Sequence, residues 1–343
     1  MHEMDEMDQP HTDPADEAAR LASESLAARE AGDLGRALER AQACLELRTA
    51  RLGERHVDTA AAFSLVAAAR RRRGELDAAL AGDLQALAIY EAVLGDSHPD
   101  TATAAGNLSA TRRVRGEHDE ALALAERALA GLRATCEPGD RRVALAWGNL
   151  AAVHRARGEH ARAIAAGHEL LAIRQAVLGD RHLDTAAAHS LLGSLHAAAG
   201  DHGQAAQAEQ AALELREAAG DPRATLESVM NLATIHRNLG DAARSLELQQ
   251  RALAAQRTLL GERDPATTRS RLYVAYTMLR IGRRREAEQL IAEGLRHDPR
   301  SKELHQLKQQ LDSVVAPGFR AAPTGGAPRA AAGKNKPRGR GKR

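Results

Sequence analysis

The chain has 343 residues, of which 43% are hydrophobic but only 2% aromatic, so Ala and Leu must supply most of any core. Strand-forming residues are scarce, which argues against β-sheets and favours closely packed helices. Two cysteines, Cys44 and Cys136, lie far apart without a CxxC spacing, which indicates neither a disulfide framework nor a zinc cluster. No apolar run approaches the roughly 18 residues that span a bilayer, so no membrane partner is expected.

The net charge of +2 conceals two ends of opposite charge. Residues 1–16 hold six acids and no Lys or Arg, whereas residues 316–343 hold eight Lys or Arg and no acid. Both ends lack hydrophobic periodicity, which is typical of disordered tails, and the first also lacks the apolar core of a secretory signal. We therefore predict an acidic tail at 1–16, a folded body at 17–315 and a basic tail at 316–343, in a cytoplasmic protein.

The body consists of a repeated unit that is marked by one glycine. These glycines are Gly32, Gly74, Gly116, Gly158, Gly200, Gly240 and Gly282, at intervals of 42, 42, 42, 42, 40 and 42 residues. A small residue stands seven positions before and five positions after each glycine, and a Leu stands thirteen after it. Small residues allow two helices to approach closely, and glycine suits the left-handed position that ends a helix. Each unit is therefore predicted to contain a helix A, a glycine turn and a helix B with the Leu in a buried stripe.

Each helix B leads into the next helix A through a joint of common sequence. The joint reads LGERHVDTA at 52–60, LGDSHPDTA at 94–102, LGDRHLDTA at 178–186 and LGERDPATT at 260–268. Pro99 suits a first helical position, and Asp100 beside it complements the helix dipole. Successive repeats lie roughly 10 Å apart, too far for their histidines to share a metal ion. The joint is therefore predicted to be structural, with His98 supporting the turn.

The pattern of small residue, Gly, Ala and Leu resembles the tetratricopeptide repeat. The 42-residue spacing, with NLA and LGxxHPDTA, is similar to the repeats of kinesin light chains and many bacterial proteins. GNLSATRRVRGEHDEALALAERAL (106–129) and GNLAAVHRARGEHARAIAAGHELL (148–171) show it best. The resemblance covers 17–315 and implies an all-α, right-handed α-solenoid, or superhelix, of about seven helix-turn-helix units. Residues 300–315 then read as a polar capping helix, which such arrays need at their end.

No pattern for catalysis or for a cofactor stands out in the sequence. It contains no P-loop, no GxGxxG turn, no HExxH pair and no GxSxG elbow. Cys44 takes the place that Ala holds in other repeats, at Ala86, Ala128 and Ala252, so a packed thiol is expected rather than a nucleophile. We predict a protein that is not an enzyme, with no cofactor and no metal site.

Polar residues of helix A are the candidates for peptide binding. Asn107, Asn149 and Asn231 stand nine residues before the turn glycine, and Arg29, Arg71, Arg113, Arg155 and Arg237 stand three before it. The resemblance implies that the Asn reaches into a concave groove and pairs with the backbone of an extended peptide, because an amide is both donor and acceptor. The Arg ladder lies on or near the same face, in the groove or at its rim, and guanidinium groups bind carboxylates bidentately.

The leading hypothesis is a non-catalytic scaffold that binds an extended, acidic segment of a protein partner. We expect the footprint to be centred on repeats 3 and 4, because repeat 5 has Leu191 and Ala197 at the two positions. One alternative is a regulatory or sensor subunit whose effector, a protease or an NTPase, is another chain. The other is weak polyanion or nucleic-acid contact through 333–343, GKNKPRGRGKR, although this tail has no interleaved aromatics for base stacking.

Overall fold

The structure is a computed structural model that describes residues 14–313, and every regular element in that range is an α-helix. The helices are α1 (Pro14–Glu30), α2 (Leu34–Leu52), α3 (Val57–Arg73), α4 (Leu76–Leu94), α5 (Pro99–Arg115), α6 (His118–Thr135), α7 (Arg141–Ala156), α8 (His160–Leu178), α9 (Leu183–Ala198), α10 (His202–Ala218), α11 (Pro222–Asn238), α12 (Ala242–Leu260), α13 (Pro265–Arg280), α14 (Arg284–His297) and α15 (Lys302–Ser313). Residues 1–13 of the predicted N-terminal tail (1–16) and the whole predicted C-terminal tail (316–343) lie outside the described residues.

The order of the helices confirms seven A–B units followed by a capping helix. The odd-numbered helices α1 to α13 are the A helices, the even-numbered α2 to α14 are the B helices, and α15 follows them. Helix α1 begins at Pro14, within the last three residues of the predicted N-terminal tail of 1–16. Proline suits a first helical position, and Asp16 and Glu17 in the first turn favour a helix start there because they complement its dipole.

The glycine turns and the small residues beside them have the predicted roles. All seven turn glycines have φ between 76° and 87°, a left-handed conformation that glycine adopts without steric cost. The residues five positions after them are all buried: Ala37, Ala79, Ala121, Ala163, Ala205, Ser245 and Ala287. Serine at the helix crossing also bonds across it, since Ser109 Oγ donates to the carbonyl oxygen of Ala121 at 2.6 Å. The A and B helices of a unit can therefore pack closely.

On helix B, the position that is buried in every repeat stands twelve residues after the turn glycine, one before the predicted Leu. The Leu thirteen residues after the glycine is buried in five repeats, but Leu45 and Leu295 are only half-buried. The preceding position is buried in all seven repeats: Cys44, Ala86, Ala128, Leu170, Ala212, Ala252 and Gly294. This position faces helix A, as shown by a distance of 3.6 Å between Ala128 Cβ and a Cβ placed on Gly106. Cys44 is the packed thiol that was predicted, and burial raises its pKa.

The joints are structural, as predicted, and their His and Thr side chains have separate roles. In three joints the His is the N-cap, with Nδ1 accepting from the backbone N–H two residues later at 3.0–3.1 Å: His56 from Asp58, His98 from Asp100, and His182 from Asp184. In four joints a fully buried Thr donates to a glycine carbonyl oxygen at 2.8 Å: Thr59 to Gly53, Thr101 to Gly95, Thr185 to Gly179, and Thr267 to Gly261. These bonds connect the end of helix B to the start of the next helix A.

We expect Thr101→Val to lower the free energy of unfolding by about 1 kcal/mol, because the buried hydroxyl bond to Gly95 is lost while the side-chain shape is kept. Urea unfolding followed by circular dichroism would measure this change. Thr103→Val is the matched control, since Thr103 Oγ1 bonds only to Pro99 of its own helix and is half-buried. Equal midpoints for Thr101→Val and the unaltered chain would contradict the assigned role.

The described residues form two compact units, which divide within α12. The first unit ends at Ala255 and the second begins at Gln256, whereas the sequence predicted one array over 17–315. Each unit has its own apolar core. In the second unit Val274, Ile291 and Leu304 are buried, and α15 packs against α14 as the predicted cap.

The A helices of repeats 1 to 4 lie on the inner side of the first unit. Helix α1 contacts α3, α3 contacts α5, and α5 contacts α7, in addition to the contacts of each with its neighbouring B helices. A repeat array curves toward the side on which successive repeats lie closest, and this side forms its binding surface. The polar residues of α3, α5 and α7 are therefore placed along one face.

Candidate peptide-binding groove

A pocket of about 170 Å³ lies between α5, α6 and α7 in the first unit. Asn107 on α5 and Asn149 on α7 both line it. The two helices approach closely at Gly106, since a Cβ placed on this residue would stand 3.4 Å from Asn149 Nδ2. That nitrogen also makes a long hydrogen bond of 3.4 Å to the Gly106 carbonyl oxygen. The structure thus brings two of the three predicted asparagines together.

Both asparagine amides keep hydrogen-bonding capacity for a ligand. Each side chain is half-buried. No described residue bonds to the side-chain amide of Asn107, and Asn149 uses one of its donor hydrogens. Since an amide offers two donor hydrogens and an acceptor oxygen, each can still pair with a peptide unit.

The pocket also contains residues that the repeat pattern did not indicate. Leu145 and Thr103 stand four residues before Asn149 and Asn107, on the same helical face, so the spacing from each Asn could have identified them. Arg142 lines the pocket as well, and its Nη2 lies 2.8 Å from Asp140 Oδ2. Hydrogen bonds from the side chain and the backbone N–H of Arg142 lower the pKa of Asp140 to about 2. The charge of Arg142 is therefore already compensated by this carboxylate.

Arg113 is a half-buried cation for which the described residues provide no carboxylate partner. Burial lowers the pKa of its guanidinium, and the positive charges of Arg155 and Arg71 lower it further. Arg113 is therefore close enough to both of these arginines to be repelled by them. A bound carboxylate would relieve both the desolvation and the repulsion, which makes Arg113 the strongest anion-binding candidate of the ladder.

Arg71 and Arg155 both reach the A helix of the following repeat. Arg71 Nη1 donates to Thr111 Oγ1 at 2.8 Å and lies 3.5 Å from the buried Asp83 Oδ2. Arg155 is exposed, and its Nη1 donates to Ser194 Oγ at 3.3 Å. In repeats 2 and 4, the arginine three residues before the turn glycine therefore connects one A helix to the next. Arg71 is largely occupied by its own fold, whereas Arg155 remains open to solvent.

The other two predicted residues lie apart from this pocket. Asn231 is half-buried and Arg237 is exposed, both on α11 in repeat 6. Repeat 5 separates them from repeat 4 and has Leu191 and Ala197 at the corresponding positions. The structure therefore brings together the candidates of repeats 2 to 4, and Asn231 and Arg237 remain a separate prediction.

Glu262, Glu293 and His297 in the second unit offer ligand atoms within 4.8 Å of one another, a spacing that could suit a metal ion. Both carboxylates already pair with arginines, since Glu293 Oε1 lies 2.9 Å from Arg257 Nη2 and Glu262 pairs with Arg271. These cations would oppose a metal ion. The prediction that the chain has no metal site stays a prediction.

The sequence matches the family model of the tetratricopeptide repeat at residues 58–134, 142–218 and 223–300, which together make up more than half of the chain. The matched family is a repeat, and it indicates no catalytic family. No curated protein matches the chain. None of the helices in 14–313 has the length and apolar character that crossing a bilayer requires.

Several solved structures share the fold at low sequence identity. The nearly identical TPR-like repeats of a Podospora anserina protein designated a kinesin light chain are 20% identical, cover 60% of this chain and 98% of that one, and have a TM-score of 0.53. BtubC (BKLC) from P. vanneervenii is 21% identical over 73% of this chain and 93% of that one, with a TM-score of 0.52. The Rap conjugation gene regulator of plasmid pLS20, in complex with the Phr* peptide, is 12% identical over 93% of this chain and 83% of that one, with a TM-score of 0.57. The predicted all-α repeat solenoid with kinesin-light-chain-like repeats is confirmed.

Proposed function

Because this chain belongs to the tetratricopeptide-repeat family, we propose that it is a non-catalytic scaffold that binds an extended, acidic segment of a protein partner across repeats 3 and 4. One observation carries the proposal. Asn107 and Asn149 line one pocket, and half-buried Arg113 in the same repeat as Asn107 lacks a carboxylate partner among the described residues.

The spacing of the asparagines suits an extended peptide. Adjacent helices pack roughly 10 Å apart, and an extended chain rises about 3.3 Å per residue. Asn107 and Asn149 would therefore meet peptide units about three residues apart. Each amide would donate to a peptide carbonyl and accept from a peptide N–H, which holds the backbone without selecting side chains.

The arginines would select acidic side chains. A carboxylate of the partner would pair with Arg113 and reduce its repulsion with Arg71 and Arg155. Arg71 contributes less, because it already interacts with Asp83 and Thr111. Affinity in the micromolar range, about −8 kcal/mol, is expected for such a contact.

A library of extended peptides rich in Asp and Glu, selected on the immobilised full chain, tests the proposal. We expect Asn107→Ala, Asn149→Ala and Arg113→Ala each to weaken the selected peptides by about 10-fold, because each removes hydrogen bonds to the ligand. Fluorescence anisotropy would measure the affinities, and circular dichroism would establish that each variant is folded. Asn238→Ala is the matched control, since Asn238 is exposed and outside the pocket. Equal affinity in all four variants would refute peptide binding at this pocket.

A regulatory role is the second candidate. The Rap conjugation gene regulator has a similar fold and is bound to a peptide in its structure, which supports this reading. Peptide binding here would then control an effector on another chain, such as a protease or an NTPase. Pull-downs with and without a selected peptide would test it: a partner whose recovery changes supports regulation, and an unchanged set of partners argues for a simple scaffold.

A further inference from the structure

The two compact units carry opposite net charge. Residues 1–255 contain 28 Lys or Arg and 38 Asp or Glu, a net charge of −10, whereas residues 256–343 contain 20 and 8, a net charge of +12. Of these, the basic segment 314–343, which lies outside the described residues, contributes eight of the basic residues and none of the acidic ones. An excess of this size in one unit favours a polyanionic partner.

Helix α13 of the second unit exposes two tyrosines. Tyr273 is 57% exposed and Tyr276 is 47% exposed, although the whole chain has only six Phe, Trp and Tyr residues. The other described aromatics, Phe63, Tyr90 and Trp147, are buried or half-buried. Residues three apart lie on one helical face with Cβ atoms about 5–6 Å apart. The two rings therefore form an apolar platform that the fold does not cover.

Two arginines extend this platform at both ends. Arg269 stands four residues before Tyr273, and Arg280 stands four after Tyr276, so all four share one face of α13. Both arginines are exposed, and no acidic side chain within 256–313 pairs with either of them. Neighbouring Arg283 and Arg284, by contrast, pair with Glu286 and Glu288. Arg269, Tyr273, Tyr276 and Arg280, here called the α13 strip, extend about 16 Å along the helix.

We propose that the α13 strip binds single-stranded nucleic acid. Tyr273 and Tyr276 stack on successive bases, and Arg269 and Arg280 contact the flanking phosphates. Unpaired bases expose the faces that aromatic side chains stack on, whereas the bases of a duplex do not. An acidic peptide would satisfy the arginines but would leave the two rings without successive planar partners, so the strip favours nucleic acid.

The experiment uses the full chain and a fluorescein-labelled oligothymidylate of about 20 nucleotides, longer than the stretch that a single platform usually covers. We expect the double variant Tyr273→Ala/Tyr276→Ala to lose at least about 5-fold in affinity for each ring, as measured by anisotropy. Tyr273→Phe/Tyr276→Phe is the matched control and keeps the affinity, because phenylalanine also stacks. Binding to heparin, a polyanion without bases, should be the same in both double variants and in the unaltered chain.

Salt dependence separates the strip from the basic segment. Deleting 314–343 is expected to reduce the slope of log affinity against log salt by up to about 6, whereas the Tyr→Ala variant keeps its slope. Oligonucleotide affinity that is unchanged in the Tyr→Ala variant would reduce the interaction to the basic segment and overturn the proposal. Absence of oligonucleotide binding at low salt would also overturn it, as would a protein ligand that needs the tyrosines. None of these outcomes bears on the groove of repeats 3 and 4, which uses other residues.

Discussion

Glu262→Ala is expected to lower the free energy of unfolding of the second unit by about 3 kcal/mol, because it leaves a buried charge without its partner. Arg271 is 0% exposed, and its Nη2 pairs with the Glu262 carboxylate. The Glu262 carbonyl oxygen, 3.4 Å from Arg271 Nη1, would remain as an acceptor, which keeps the loss near the lower end of values for broken buried pairs.

A variant that removes both charges of the Glu262–Arg271 pair separates the effect of the unpaired charge from that of lost side-chain packing. The double variant Glu262→Ala/Arg271→Leu should recover most of the loss, because an apolar side chain replaces the buried cation. Glu288→Ala is the matched control: Glu288 is exposed and its side chain lies 2.7 Å from Arg284, so the expected change is below about 1 kcal/mol. Hydrogen exchange of α13 amides would measure the stability of this unit. Equal protection in Glu262→Ala and Glu288→Ala would show that the buried pair contributes nothing.

A second large effect on the free energy of unfolding is expected from the ionisation of Asp83. This carboxylate is 1% exposed, accepts a hydrogen bond from Thr111 Oγ1 at 2.5 Å, and has no partner at Oδ1 among the described residues. Burial raises its pKa to about 6, and the hydrogen bond from Thr111 and the charge of Arg71 only partly offset that rise. The folded state therefore holds this proton more tightly than the unfolded chain does.

The direction of the pH effect follows from that difference. The pKa of an unfolded Asp is about 3.9, so between pH 4 and pH 6 the folded state binds more protons. The contribution of Asp83 to stability is greatest below pH 4 and is lost as the pH rises through about 6. A difference of about two between the folded and unfolded pKa values corresponds to about 3 kcal/mol in the free energy of unfolding.

Asp83→Asn cannot titrate, so comparison with the unaltered chain isolates this effect. The free energy of unfolding of the unaltered chain, minus that of Asp83→Asn, should fall by about 3 kcal/mol between pH 4 and pH 7. Urea unfolding across this range would measure the difference. Asp140→Asn is the matched control: because the pKa of Asp140 is lowered, its stabilisation is lost only as the pH falls below about 4, so its difference should stay nearly constant between pH 4 and pH 7. A constant difference for Asp83→Asn would show that Asp83 titrates as it does in the unfolded chain.

The sequence alone was sufficient for the repeat and its turns, because these depend on neighbouring residues. The left-handed glycine Gly116 and the small residues Ala121 and Ser109 lie within 13 positions of one another. The same spacing of glycine and small residues recurs in every repeat. The joints were predictable for the same reason, although the N-cap role of His98 required the bond from Asp100 to be seen. Asn107 and Asn149 could be grouped from the sequence because both stand nine residues before a turn glycine, whereas their expected place in a groove came from the family resemblance.

Tertiary structure decided which of those polar residues are free to bind. Arg71 and Arg113 hold the same position in the repeat, yet Arg71 lies 3.5 Å from Asp83 and bonds to Thr111, whereas Arg113 has no carboxylate partner among the described residues. These partners lie 12 and 40 residues from Arg71, so their contact depends on how α3, α4 and α5 pack. In the same way the sequence determined that Tyr273 and Tyr276 share a helical face, but only packing decided that this face stays exposed, because burial depends on which neighbouring helices cover it.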